Sequence, residues 1–481
     1  VLKYSYIILQ LAFAKPGENF MKKKSLIALF LLFGIFLTGC LQNNIGLVIE
    51  KPVTVTLWHY YNGQQKDAFD ALIDEFNHTE GFSKGITVKA ESKGSIENLE
   101  ESITASAEEK LGAEKLPDIF STYSDTAIKL QQMGLLADIS DYMTEEELKE
   151  YNPYFLEEGR FTKDRLFILP VAKATELLYL NKTDWDIFAE EHGYDLSVLS
   201  TWEGIREVSE AYHKWTEGKS FFGRDAAANF MLVGFHQLGS DIFQKTNDGI
   251  KLILDENILE KIWTSYCEPY ILGYYGAFGR FRSDDIKTGD IIAAAASTSS
   301  VSYYPQEVTL ESGITYPIEV VVLPLPDFEG TKKTAVQQGA GMSVTKSSTE
   351  KEKAAIEFLK WFTLEENNIG FCVDSGYFPV KTNERIKERM KEKLISMNIG
   401  EGSLVYENTM LGLESILNSD LYAPIAFEEG STKRKIITEY LTDRLEICKD
   451  RYNETPIEDR AGFLETCYKE WSANLISELE I

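Results

Sequence analysis

Apolar and polar residues change period along the chain in a regular order. Val53-Thr54-Val55-Thr56-Leu57-Trp58 alternates as a half-buried strand does, and Asp67 to Asn77 then sets Phe69, Leu72, Ile73 and Phe76 on one helical face. Ile86 to Ala90 reads as a second strand, Ile96 to Leu111 as a helix, Leu116 to Phe120 as a short buried strand and Thr126 to Met133 as a helix. Strands alternating with helices predict parallel βαβ units in an α/β sheet. Beyond an acidic helix at Glu145 to Glu150 the pattern restarts. Phe167 to Val171 and Glu176 to Leu180 are expected strands, Thr201 opens a helix to Thr216, and Asn247-Asp248-Gly249 is a hairpin turn. Ile291 to Ala295 and Glu319 to Leu323 are further strands, Lys351 to Thr363 is a helix, and Asn383 to Ile481 is mostly helical.

Upstream of this region the pattern is of another kind. Met21 is followed by Lys22, Lys23 and Lys24, then by the uncharged run Leu26 to Leu37 and by Leu37-Thr38-Gly39-Cys40. The run is shorter than the ~20 apolar residues that span a bilayer, so a cleavable export signal is expected rather than a membrane anchor. Its end resembles the lipobox of bacterial lipoproteins. The resemblance implies that residues 1–39 are removed, that Cys40 is lipidated and palmitate-bearing, and that 40–52 tether the fold to the cell membrane. Met21 is the expected initiator, with residues 1–20 lying upstream of it.

Composition narrows the partners. A formal net charge of −27 repels phosphate backbones, which argues against nucleic acid. The length exceeds what one core usually supports, so two lobes are expected. Besides Cys40 the chain has Cys267, Cys372, Cys448 and Cys467. Cys448 and Cys467, on adjacent predicted helices, are either a disulfide or two free thiols. With neither CxxC nor zinc spacing, no metal or other cofactor is expected.

Four tracts carry a more specific resemblance. They are Leu116-Pro117-Asp118-Ile119-Phe120 with Gly134-Leu135-Leu136; Arg165 to Pro170 with Tyr179-Leu180-Asn181-Lys182; Gly289 to Ala295; and Gly339 to Val344 with Lys353 to Phe362 and Gly376 to Val380. In order and spacing they resemble the family 1 extracellular solute-binding proteins, the maltose-binding-protein-like lipoproteins of ABC importers. That resemblance implies an α/β fold of the two-lobed periplasmic-binding-protein type II, with hinge strands between the lobes. One lobe would combine 53–155 with 327–378 and the other 156–326 with 379–481. It also implies a monomer that captures a carbohydrate and meets ABC permease subunits. The family's usual tryptophan after the Gly289 strand is replaced by the run Ser297 to Ser300.

Sugars present C–H faces to rings and hydroxyls to carboxylates and amides. The first strand ends in Trp58-His59-Tyr60-Tyr61-Asn62, from which Trp58, Tyr60 and Asn62 are candidate contacts, with core packing as the alternative for the rings. Asp125 is either a hydroxyl acceptor or the N-cap of the helix from Thr126. Glu176, Tyr274, Thr298, Gln338 and Gly339 complete the candidates. Glycine lets a backbone approach closely, although Gln338-Gly339 also reads as a plain turn. A secreted carbohydrate-active enzyme is the main rival, but no G-x-S-x-G, H-E-x-x-H or P-loop pattern occurs. A second rival keeps the fold and binds ferric ion or another small polar solute, drawing on the pairs Tyr60-Tyr61, Tyr274-Tyr275 and Tyr303-Tyr304.

Overall fold

The computed structural model describes residues 52–162 and 164–480, so the export signal, Cys40 and the tether up to residue 51 lie outside the described residues. Two four-stranded sheets organise the rest. The first runs in the order Gly341–Val344, Ile119–Thr122, Val53–His59, Ile86–Ser92. Val53 to His59 pairs in parallel with Ile86 to Ser92 residue for residue, and Leu57 and Trp58 face Ile119 and Phe120. The apolar stripe of helix Gly63–His78 buries Phe69, Leu72, Ile73 and Phe76, as its periodicity predicts. Leu99 and Ile103 of helix Ile96–Ala107 pack with Trp58 and Phe120 in a separate cluster. That helix stops short of the expected Leu111: Glu109 takes a left-handed φ of 52°, and Leu111 stands fully exposed.

The second sheet runs Val320–Leu323, Glu176–Asn181, Ala293–Ser297, Phe222–Arg224. One of its faces is covered by a large cluster that includes Trp185, Trp202, Phe230, Trp263 and Trp471, drawn from the middle helices and from the C-terminal helices Gly430–Leu441 and Arg460–Leu479. Tyr179, Ile286, Ile291 and Tyr304 belong to a separate cluster. Asn247-Asp248 does turn a hairpin, between Phe243–Thr246 and Gly249–Leu252.

Neither sheet is purely parallel, which corrects the simple βαβ expectation. Gly341–Val344 runs antiparallel to Ile119–Thr122, and Glu176–Asn181 runs antiparallel to both of its neighbours. Both strands begin where the chain has just crossed from one sheet to the other, so they enter at the end where the other strands leave. The crossing also explains a missing strand. Phe167 to Val171 makes only one bridge, Leu169 to Met342, because Pro170 has no N–H to donate and the chain is already leaving the sheet. Two expected strands are shifted along the chain, to Ile119–Thr122 and Ala293–Ser297. Pro117 cannot donate to a ladder, and the Asp118 carboxylate accepts instead from the backbone N–H of Thr56 at 2.9 Å.

Three stretches pass between the sheets and are bonded to one another. Lys173 N donates to Phe378 O at 3.0 Å, and Ala174 exchanges bonds with Gln338 at 2.9 and 3.0 Å. The Lys173 side chain is 1% exposed; its ammonium pairs with Glu158 and donates to Gly339 O at 2.9 Å. Gly339 has φ +89°, and a Cβ there would stand 2.7 Å from the Ala172 carbonyl oxygen. Gly339→Ala should therefore cost about 2–3 kcal/mol of stability, read as a lower urea midpoint with an unchanged slope. An unaltered midpoint would mean that the crossing tolerates the extra carbon.

Candidate functional site

Strand ends that meet beside the crossing carry the polar groups of the candidate site. From the first sheet, the turn after Val53–His59 divides its two tyrosines. Tyr61 is 1% exposed and packs on Phe69 and Phe371, while the Tyr60 hydroxyl lies 3.1 Å from that of Tyr377 on the third crossing stretch. Burial raises the pKa of the Tyr60 hydroxyl well above the ordinary phenol range, so it stays protonated and able to donate. Tyr123 follows Ile119–Thr122 and is half-buried, with the charges of Glu158 and Arg434 acting on its hydroxyl. From the second sheet, the turn after Ala293–Ser297 comes across to the first. Gln65 Nε2 donates to Ser299 O at 3.1 Å, and the Tyr303 hydroxyl lies 3.0 Å from the place a Cβ on Gly63 would take.

Glu176 is the hub of the second-sheet side. It is 2% exposed and ion-paired to Arg224, and it accepts from Asn229 Nδ2 at 2.6 Å and Gln338 Nε2 at 2.9 Å. The Asn229 amide oxygen in turn accepts from the Arg434 guanidinium. Arg434 stands one turn into helix Gly430–Leu441, whose first turn is pressed against Asp125: a Cβ on Gly430 would fall 2.4 Å from Asp125 Oδ1. Phe427 N donates to the same carboxylate at 3.4 Å. Burial raises the Asp125 pKa to about 7, against the lowering effects of the Phe427 N–H and the Arg434 charge. Asp225, at the end of Phe222–Arg224, is raised by burial to about 6.

The structure therefore brings together Tyr60, Asp125, Glu176 and Gln338 of the candidates, sets Gly339 beside them against Tyr377, and separates the others. Trp58 packs in the core with Leu99 and Phe120, with the Lys93 ammonium 3.9 Å from its ring centre. Asn62 is exposed and donates to Gly94 O at 3.1 Å. Tyr274 lies against His213, ring centres 5.2 Å apart, on helix Trp202–Trp215. Thr298 is fully buried and bonded to the backbone of Thr175. Gly339 serves the close approach of the crossing stretches. Asp125 is no N-cap either, because the helix begins at Ser124 and the cap position is Tyr123. The adjacent tyrosine pairs do not converge as ferric ligands would. Tyr304 stacks on Tyr179 at 4.0 Å between ring centres, and Tyr275 donates to Ser265 O at 3.2 Å. Tyr123, Asn229, Arg434 and Tyr377 were not among the candidates; the position of Tyr123 at a strand end and the place of Tyr377 in the Gly376 to Val380 tract were the available signals.

Two mixed sheets joined by crossing stretches, with polar and aromatic side chains converging at the junction, are the α/β arrangement that the sequence resemblance implies. A family model described as bacterial extracellular solute-binding protein matches residues 71–393, and the chain belongs to that family. The maltotriose-binding protein of Pyrococcus abyssi is 23% identical over 338 residues, 68% of this chain and 66% of that protein, so the match spans just under two thirds of the relative's length. Among solved structures, UgpB of Mycobacterium tuberculosis in complex with glycerophosphocholine superposes with a TM-score of 0.66 at 18% identity, covering 89% of this chain and all of that one. The cyclic alpha-maltosyl-1,6-maltose binding protein of Arthrobacter globiformis gives 0.62 at 17% identity, covering 88% of this chain and 100% of its own. The protein Lmo0181 of Listeria monocytogenes, in complex with cycloalternan, gives 0.64 at 14% identity, covering 88% and 99%. Family membership places the work of the chain outside the cytoplasm.

Two measurements probe the geometry of the site. Replacing either partner of the buried Glu176–Arg224 pair alone, as in Arg224→Met, should cost about 3–5 kcal/mol because it strands the other charge. A loss under about 1 kcal/mol in chemical denaturation, the range of an exposed pair, would contradict the burial. The second concerns pH. A carboxyl whose folded pKa is raised holds its proton more tightly when folded, so its contribution favours folding at low pH and falls away as pH rises from about 4 to about 7. Asp125→Asn keeps an acceptor for the Phe427 N–H but cannot ionise. The variant should lose less stability than the parent between pH 5 and pH 8; parallel pH profiles would refute the assignment.

Proposed function

We propose that the chain is an extracytoplasmic receptor, anchored by a lipid on Cys40, that captures a carbohydrate between two lobes and delivers it to an ABC importer. The supporting observation is the convergence of Tyr60, Tyr123, Asp125 and Tyr377 with the Glu176, Asn229, Gln338 and Arg434 network beside three crossing stretches. Hydroxyls need donors and acceptors fixed in advance, and this network supplies carboxylate, amide, guanidinium and phenol groups already held by one another. Tyr303, 49% exposed beside Gly63, offers a ring face for stacking at the same junction. The names of the relatives point the same way: a maltotriose-binding protein, a cyclic maltosyl-maltose binding protein and a cycloalternan complex. The glycerophosphocholine complex favours a second ligand class, a phosphodiester with a polar head.

In this reading the lobes divide at the crossing stretches rather than at the expected bounds of 155/156 and 326/327, because Phe167 and Ile168 pack with the first sheet and Phe328 and Val336 with the second. The crossing stretches act as the hinge, and the closed shape is what permease subunits distinguish. The receptor works as a monomer, and the reading assigns no catalytic residue.

A thermal-shift and calorimetric screen of neutral mono- and oligosaccharides beside glycerophosphodiesters tests the ligand. A neutral sugar should raise Tm, and Tyr303→Ala should weaken its binding about tenfold, near 1.4 kcal/mol, without lowering Tm in the absence of sugar. Silence across the sugars, turnover of an oligosaccharide, or a response to phosphodiesters alone would each overturn the carbohydrate reading. Labelling cells with a palmitate analogue tests the anchor: the parent should carry label in the membrane fraction, and Cys40→Ala should carry none.

A further inference from the structure

Helices Asp443–Glu454 and Arg460–Leu479 form the C-terminal helical hairpin, joined through the short turn Ile457–Asp459. Cys448 on the first and Cys467 on the second are 9% and 2% exposed, and their sulfur atoms are 2.7 Å apart. That is closer than two unbonded sulfurs rest side by side, and it sets the two side chains facing each other, as a covalent link requires. Cys267 is buried on the neighbouring turn Trp263–Cys267 within electrostatic reach of Cys448, and Cys372 is buried on helix Glu365–Ser375. Four thiols are thus sealed inside, and only one pair of them is in contact.

We propose that Cys448 and Cys467 are joined by a disulfide in the exported protein, and that this bond fixes the hairpin on which helix Gly430–Leu441 rests. The oxidant is a disulfide of the compartment outside the cytoplasm, R–S–S–R. One of the two thiolates attacks one of its sulfurs and releases R–S⁻; the other, deprotonated, then attacks the protein sulfur of the mixed disulfide and releases the second R–S⁻. Two thiols lose two protons and two electrons, and the oxidant becomes two molecules of R–SH. With so little exposure, both sulfurs meet the oxidant before the hairpin packs down.

The consequence reaches the candidate site. Helix Gly430–Leu441 carries Gly430 against Asp125 and Arg434 against Asn229, and Trp471 of the hairpin donates to Tyr440 O at 2.9 Å. A staple 19 residues apart in sequence narrows the unfolded ensemble and holds that platform still. A disulfide also fits an exported chain and not a cytosolic one, so it bears on location independently of Cys40.

The test uses the full chain exported through an oxidising compartment and purified without reductant. Free thiols are blocked with a maleimide in guanidinium, and the digest is read by mass spectrometry. Cys267 and Cys372 should carry the label, while Cys448 and Cys467 should appear in one linked species that reductant splits. Reduction should lower Tm by about 3–6 °C, and the Cys448→Ser/Cys467→Ser variant should show that lower Tm with no further response to reductant. Label on all four cysteines, or a link that includes Cys267, would overturn the proposal. Neither outcome touches the carbohydrate reading, which fails only in the ligand screen.

Discussion

The structure depends on a chain that must pass between two sheets at one place without leaving backbone groups or charges unsatisfied. Lys173 and Ala174 solve the backbone problem, because their N–H groups are taken by Phe378 and Gln338 from the other two stretches. The Lys173 ammonium, fully buried, is matched by Glu158 and the Gly339 carbonyl. The same Glu158 accepts from Gln337, so two of the crossing stretches share one buried pair. Much else follows from this junction. Strands that start there run against their neighbours, Gly339 has to be glycine, and Gln338 can reach from the crossing to Glu176.

The site inherits its electrostatics from that arrangement. A chain of net charge −27 has many carboxylates in water, yet those near the junction are either paired, as Glu158 and Glu176 are, or pushed toward the neutral form by burial, as Asp125 and Asp225 are. The overall charge therefore says little about the ligand. What matters locally is a set of fixed donors and acceptors with little net charge, the environment in which hydroxyl groups are bound without a large desolvation cost.

Periodicity carried the first sheet and its helices well, since Val53 to Trp58 and the Phe69, Leu72, Ile73, Phe76 stripe are local patterns. It failed where tertiary geometry overrides local propensity. Phe167 to Val171 has the composition of a strand but sits on the crossing, and Trp58 has the chemistry of a sugar platform but the inward register of its strand. Glu176 was placed correctly at a strand end, and its partners were invisible because Arg224, Asn229 and Gln338 come from three other segments. Arg434 lies on a helix whose pattern reads only as amphipathic; nothing local marks the one residue that meets Asn229.

Under the proposed reading, the contacts across the junction also explain how opening stays reversible. Among the described residues, hydrogen bonds outside the crossing stretches that join the first-sheet side to the second include Gln65 on the Ser299 carbonyl and the Phe427 N–H on Asp125. Each is a bond that water replaces readily, worth about 1 kcal/mol net. A few of them favour closure by only a few kcal/mol, an amount that a ligand touching both sides can exceed and a permease can undo. A broad apolar contact in the same place would have held the protein shut. Gly430 matters here because a side chain would push Asp125 off the helix start, so the closed arrangement rests on a missing Cβ as much as on any bond.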